Sequence, residues 1–203
     1  MVRMKELLVA TKNKKKFKEI KEILKNFNLK LRVKSLLDYH NVPRIIEDGK
    51  SFKENAIKKA IKIAKFTGKI VLGEDSGIAV EALSGKPGIY SARFAGKNKD
   101  DLKNNLKLLK LLKGLPLKKR KARYICAVAL ADKDGLIIAK EGYCSGLIGF
   151  DMRGRYGFGY DPLFIIPKYK KTFAQLGPRI KHKISHRFHA LKKLERTLRD
   201  YFK

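Results

Sequence analysis

Short aliphatic runs alternate with amphipathic stretches along this chain, the pattern of an α/β domain. Glu6-Leu7-Leu8-Val9-Ala10 predicts a first strand buried on both faces. From Lys14 to Phe27 the apolar residues Phe17, Ile20, Leu24 and Phe27 recur at helical spacing among lysines, which predicts a helix. Leu29 to Leu36 reads as a second strand. Ser51-Phe52-Lys53-Glu54 has the form of a capping box, opening a helix that runs to about Phe66 and is stopped by Gly68. Ile70-Val71-Leu72 predicts a third strand that ends in Gly73-Glu74-Asp75-Ser76-Gly77, placing acids and a hydroxyl where strand gives way to loop. Leucines at 102, 106, 109 and 112 mark a helix from Lys99 to Leu112, closed by Gly114-Leu115-Pro116. Arg123 to Ala131 and Leu136 to Cys144 flank Asp132-Lys133-Asp134-Gly135 as a hairpin. A last helix is expected from a Ser185 cap to Tyr201. There is no internal repeat or low-complexity tract. The expectation is one α/β domain over residues 1–203, with an elongated mixed sheet flanked by helices and two lobes enclosing a cleft.

Composition narrows the function. An apolar content of 44% over 203 residues supports a real core and excludes disorder or a fibre. Lys and Arg number 49 against 19 Asp and Glu, a formal charge of +30, which points to a polyanionic partner: nucleic acid, an anionic membrane or a phosphorylated small molecule. The basic residues are mostly dispersed lysines, without the arginine stripe of a groove reader, and a solvated, heat-adapted surface accounts for them equally well. No run reaches the roughly 18 apolar residues of a membrane span, and Met1-Val2-Arg3-Met4-Lys5-Glu6 has no apolar signal core, so a cytoplasmic protein is expected. Cys126 and Cys144 lack zinc or disulfide spacing, and His186 and His189 have no matching thiol or carboxylate nearby; two reduced thiols and no zinc are expected.

Four segments carry candidate chemistry. Of the 19 acids, six lie between residues 47 and 81, with Glu74 and Asp75 adjacent. Neighbouring carboxylates repel unless a cation sits between them, and an open pair suits Mg²⁺, although a solvated acidic turn reads the same. Thr11-Lys12-Asn13-Lys14-Lys15-Lys16 enters a helix start and offers backbone N–H groups, a hydroxyl, an amide and ammoniums to a phosphate, yet it is not a glycine-rich Walker loop. Lys181, Ser185, His186 and Arg187 gather cations near another helix start, where an ordinary basic helix would look alike. In Gly157-Phe158-Gly159-Tyr160-Asp161-Pro162 the glycines leave an aromatic face open for stacking on a base beside a carboxylate, though a hairpin with packed aromatics is the alternative.

The order of these segments is itself informative. Thr11-x-Asn13-x-x-Lys16, residues 47–60 (EDGKSFKENAIKKA), residues 74–96 (EDSGIAVEALSGKPGIYSARFAG), residues 158–164 (FGYDPLF) and Ile184-Ser185-His186-Arg187 resemble the inosine triphosphate pyrophosphatase family across nearly the whole chain. The resemblance implies a homodimer and a Mg²⁺-dependent hydrolysis of non-standard purine triphosphates (ITP, dITP, XTP) to the monophosphate and pyrophosphate. It implies Asp75 as the water-activating and metal-binding residue, with Glu47 and Glu74 as further metal ligands. Thr11, Asn13, Lys16 and Lys59 resemble phosphate contacts, and Ser76 a substrate contact. Phe158 would stack on the purine, Asp161 and the backbone of Gly159 and Tyr160 would read it, and Lys181, His186 and Arg187 would complete recognition. Glu74 stands where many members carry an Asp. Two rival readings are a Maf-like pyrophosphatase of different base preference and a nucleic-acid binder, the second of which leaves the acids without a purpose.

Overall fold

The structure, a computed structural model, describes residues 5–203. Its strands form one mixed sheet in the order β2-β1-β3-β4-β5-β6-β7. They are β1 (Lys5–Val9), β2 (Leu31–Ser35), β3 (Val71–Val80), β4 (Lys121–Asp132), β5 (Gly135–Ile148), β6 (Phe164–Ile166) and β7 (Lys171–Thr172). The helices are α1 (Lys14–Lys25), α2 (Phe52–Thr67), α3 (Asp101–Leu111), α4 (Phe173–Ile184), α5 (His186–Lys192) and α6 (Glu195–Tyr201). β1 runs parallel to β2 and β3, with Leu7 opposite Val33 and Val9 opposite Leu72, whereas β6 is antiparallel to β5 and β7. The fold is therefore α/β with a mixed sheet. No helix among the described residues is long and apolar enough to cross a membrane.

The chain divides into two compact units. Unit 1 comprises the chain up to Asp75, then Cys126–Gly142 and His186–Lys203. Its core joins Leu7, Val9, Leu72 and Val128 of the strands to Ile20, Ile23 and Leu24 of α1 and to Ala190, Leu191, Leu194 and Leu198. Unit 2 comprises Ser76–Ile125 and Tyr143–Ser185. Ile78, Val80, Ile148 and Leu108 pack there with an aromatic group in which Tyr124 meets Phe164 edge-on at 4.7 Å and Phe164 stacks on Phe173 at 5.3 Å.

Local chemistry explains the element boundaries. Asn13 caps α1, its Oδ1 accepting from the N–H groups of Lys15 and Lys16. Ser51 Oγ accepts from Glu54 N–H at 3.1 Å, but the Glu54 carboxylate accepts from Lys50 N–H, one residue before the expected partner. Gly68 ends α2 with a positive φ of 64°.

Several elements differ from the sequence expectation. β3 does not stop before Gly73; it continues through the acids to Val80, because Ile78 and Val80 supply a second buried apolar stretch. The final helix is two, α5 and α6, separated where Leu194 N–H bonds to Leu191 C=O, a tighter turn that keeps Leu191, Leu194 and Leu198 all buried. In α3, Leu102 and Leu106 are exposed; the inward face carries Asn104, Asn105 and Leu108, the asparagines being tolerated because backbone groups meet their amides. α4 was not anticipated from the apolar pattern. It opens with a Thr172–Gln175 capping box and is broken at Gly177.

Gly73 lets β3 lie against α2. A Cβ there would sit 2.1 Å from the Ala56 carbonyl oxygen and 2.8 Å from the Ala60 nitrogen. Gly73→Ala is expected to lower stability by about 1–3 kcal/mol through overpacking, measured as a lower urea midpoint at unchanged m-value.

Candidate active site

Successive side chains of a strand point to opposite faces, so extending β3 through residues 74 and 75 separates the two acids. Asp75 lies on the side of α2, as Gly73 does two residues earlier. Asn55 Nδ2 donates to its Oδ2 at 3.2 Å and Lys59 Nζ to its Oδ1 at 3.0 Å. Asn55 and Lys59 are one turn apart on α2, which brings both side chains to the same carboxylate. Lys59 Nζ also meets Glu47 Oε1 at 2.7 Å and the Glu74 carbonyl oxygen at 3.1 Å. All three of its N–H groups are thus engaged. Burial would lower the Lys59 pKa, but the carboxylates of Asp75, Glu47 and Glu74 outweigh it and hold the ammonium above its ordinary value. Asn55 Oδ1 accepts from Gly49 N–H at 2.8 Å, tying the Glu47–Gly49 segment to Asp75.

Glu74 turns the other way, towards α1 and α5. Its Oε2 accepts from Lys16 Nζ at 2.9 Å, and its Oε1 accepts from an Arg187 guanidinium nitrogen at 2.8 Å and lies 3.5 Å from Cys126 Sγ. Arg187 is 1% exposed and pairs also with Glu19. Burial alone would favour neutral Arg187; the charges of Glu74 and Glu19 reverse that and raise its pKa. The Cys126 thiol is pushed far up by burial and by the Glu74 charge, so it stays protonated.

The expected phosphate segment is locally closed. Thr11 Oγ1 accepts from Asn13 N–H at 3.1 Å, and Asn13 takes the N–H groups of Lys15 and Lys16, so three of the expected backbone donors are already used. Lys12, Lys14 and Lys15 are exposed, whereas Lys16 leans onto Glu74. In unit 2, Asp161 Oδ2 accepts from Phe158 N–H at 2.9 Å and from Lys181 Nζ at 2.6 Å, and that ammonium lies 4.8 Å from the Phe158 ring centroid. Gly157 is required here: at φ 81° a Cβ would come within 2.0 Å of Asp161 Oδ2. Tyr160 is buried and donates to the Ser91 carbonyl at 2.8 Å; His186 is buried, and Ser76 is partly exposed.

The residues expected from sequence thus fall into three groups: Asp75, Lys59 and Glu47; Thr11, Asn13, Lys16, Glu74 and Arg187; and Phe158, Asp161 and Lys181. The reading of Glu74 and Asp75 as paired carboxylates at a strand end is corrected, since the strand turns them to opposite faces, where Glu74 meets Lys16 and Arg187 and Asp75 meets Lys59. Among the described residues no three His, Cys, Asp or Glu side chains converge as a preformed metal cluster. The donor set nevertheless suits Mg²⁺, which needs only one or two protein carboxylates and keeps waters and substrate oxygens. Asp75 and the half-exposed Glu47, which share one ammonium, are such a set, whereas the Glu74 side chain is enclosed between two cations, Lys16 and Arg187. Asn55 and Glu19 were missed. Their signals were helical registry, Asn55 one turn before Lys59 and Glu19 three residues after Lys16.

The Ham1 family profile matches residues 7–197. The chain belongs to the Ham1 family. It is 50% identical over 188 residues, 93% of this chain and 92% of the relative, to a protein of Desulforamulus reducens named dITP/XTP pyrophosphatase. Among solved structures it is similar to a HAM1 protein from Coxiella burnetii, with a TM-score of 0.85, 37% identity and coverage of 97% and 100% of the two chains. The Staphylococcus aureus Ham1 protein is similar at a TM-score of 0.84 and 38% identity, over 97% and 100%.

Removing Arg187 as Arg187→Met would leave the buried carboxylates of Glu74 and Glu19 without their shared cation. A loss of about 3–5 kcal/mol is expected, read by chemical denaturation. For Cys144, burial raises the thiol to about 11. A raised acid pKa means the neutral form dominates at pH 8, where about one thiol in a thousand is ionised, so iodoacetamide should label the native protein slowly and faster as pH rises towards 11.

Proposed function

We propose that this chain hydrolyses the α–β phosphoanhydride of non-standard purine nucleoside triphosphates, ITP, dITP and XTP, releasing the monophosphate and pyrophosphate. The observation that carries the reading is Asp75: a carboxylate only 8% exposed, in mid-strand, oriented at one oxygen by Lys59 and at the other by Asn55. It stands in a chain that is 50% identical over most of its length to a protein named dITP/XTP pyrophosphatase. Mg²⁺, held by Asp75 and Glu47, would neutralise triphosphate charge and acidify water when bound. Asp75 orients the attacking water and receives its proton as the water oxygen bonds to the α-phosphorus, while the bond to the bridging oxygen breaks and pyrophosphate leaves. Lys59 holds the Asp75 carboxylate in place. Phe158 supplies a face for the purine, and Asp161, fixed by Lys181, reads its edge. Lys16, Thr11 and the exposed lysines beside them meet the phosphates. The reading includes a homodimer acting in the cytoplasm.

Asp75→Asn keeps the size and one acceptor of the side chain. It should retain the circular dichroism and melting behaviour of the native protein within a few degrees while losing about 10³-fold or more in turnover. A panel of triphosphates with Mg²⁺ should give pyrophosphate as first product, fastest with ITP and XTP. Orthophosphate as first product, equal rates on ATP, or near-normal turnover by Asp75→Asn would overturn the proposal.

A further inference from the structure

We infer that Asp101 and Asn105 of α3 are positioning residues that set the aromatic face of Phe158, and through it base discrimination; the inference rests on the purine reading above. The turn around Phe158 is tied at three places. Asp161 holds Phe158 N–H, and Tyr160 is anchored to the Ser91 carbonyl. Between them lies Gly159, which has no side chain and a φ of 62°, so no side chain of its own restrains the two peptide planes it joins. α3 does so from outside the turn. Asp101 Oδ2 accepts from Gly159 N–H at 2.9 Å, and Asn105 Nδ2 donates to Gly159 C=O at 2.8 Å. The two residues are i and i+4, hence on one helix face, and together they satisfy both backbone polar groups of one residue, which lie in the two peptide planes flanking its Cα.

The state of Asn105 indicates what this clamp is for. The residue is 2% exposed, and Nδ2 donates also to the Asp101 carbonyl at 2.7 Å, while Oδ1 has no hydrogen-bond partner. Flipping the amide would turn its oxygen onto two carbonyl oxygens, so the orientation is forced and an unmet buried acceptor is tolerated to keep Gly159 held. Leucine at this inward position would fill space but could not hold the peptide. α3 accordingly turns Asn105 inward and leaves Leu102 and Leu106 in solvent.

The experiment measures kcat and KM for ITP, XTP and ATP in Asp101→Ala, Asn105→Ala, Asp101→Asn and Phe158→Ala, with melting curves for each. Loss of either clamp residue should raise KM for ITP about tenfold, the equivalent of one hydrogen bond, and narrow the ITP-to-ATP ratio of kcat/KM, with kcat changed by less than about twofold. Asp101→Asn, which keeps an acceptor for Gly159 N–H, should recover most of the native KM. A purely structural role would lower the melting temperature and leave the base ratio unchanged, and that result overturns the inference. Should Asn105→Ala fail to fold, Asp101→Ala against Asp101→Asn decides alone. If Phe158→Ala shifts KM and base ratio while the clamp variants do not, the clamp is refuted and the purine reading stands; if Phe158→Ala also changes neither, both fall.

Discussion

A strand that buries two consecutive carboxylates must find two cations on opposite sides of the sheet, and unit 1 is arranged around that requirement. Glu74 is 2% exposed and Asp75 8%, with every other position of β3 between Val71 and Val80 also buried or partly buried. On one face the charge is met by Lys59 of α2, on the other by Lys16 of α1 and Arg187 of α5. Each cation comes from a helix that packs on its face of the sheet, so the electrostatics and the hydrophobic packing constrain the same helices. Moving any of the three helices by a fraction of a turn would separate a buried charge from its partner, which costs far more than an exposed ion pair contributes.

The two faces then serve different ends. On the Glu74 side the carboxylate itself is enclosed: Arg187, Lys16 and Cys126 contact it, and Glu19 pairs with the same Arg187. The Asp75 side keeps Glu47 half-exposed beside a lysine whose three protons are already shared. In the proposed reaction a dication arriving with a triphosphate would compete there with Lys59 for the same oxygens. The two carboxylates are consecutive residues, and only strand geometry distinguishes their surroundings.

Unit 2 follows a comparable logic with the backbone of Gly159 in place of a carboxylate. The residues flanking Phe158 are glycines, which free the ring face but leave the backbone loose. Stiffness is returned by side chains from elsewhere, Asp161 with Lys181 at one end and the α3 face at the middle. The basic surface that dominates the composition takes little part; Lys16, Lys59, Lys181 and Arg187 are the cations with buried carboxylate partners in these groups.

Much was legible without coordinates. The sequence pattern located β1, α1, α2 and the β4–β5 hairpin: the helices bury one regularly spaced face, and the strands are short apolar runs bounded by turn residues, signals that survive in one dimension. The ordered motifs identified the family, and residue types placed Asp75, Lys59, Phe158 and Asp161 among the candidates. What the sequence could not decide was direction. Whether Glu74 and Asp75 share a site or part depends on whether β3 ends at Leu72 or runs on to Val80, and that is settled by what Ile78 and Val80 pack against. The inward turn of Asn105 and the pairing of Glu19 with Arg187, 168 residues away, are likewise decided by partners remote in the chain. Local spacing records which residues lie on one face; only tertiary packing decides what that face meets.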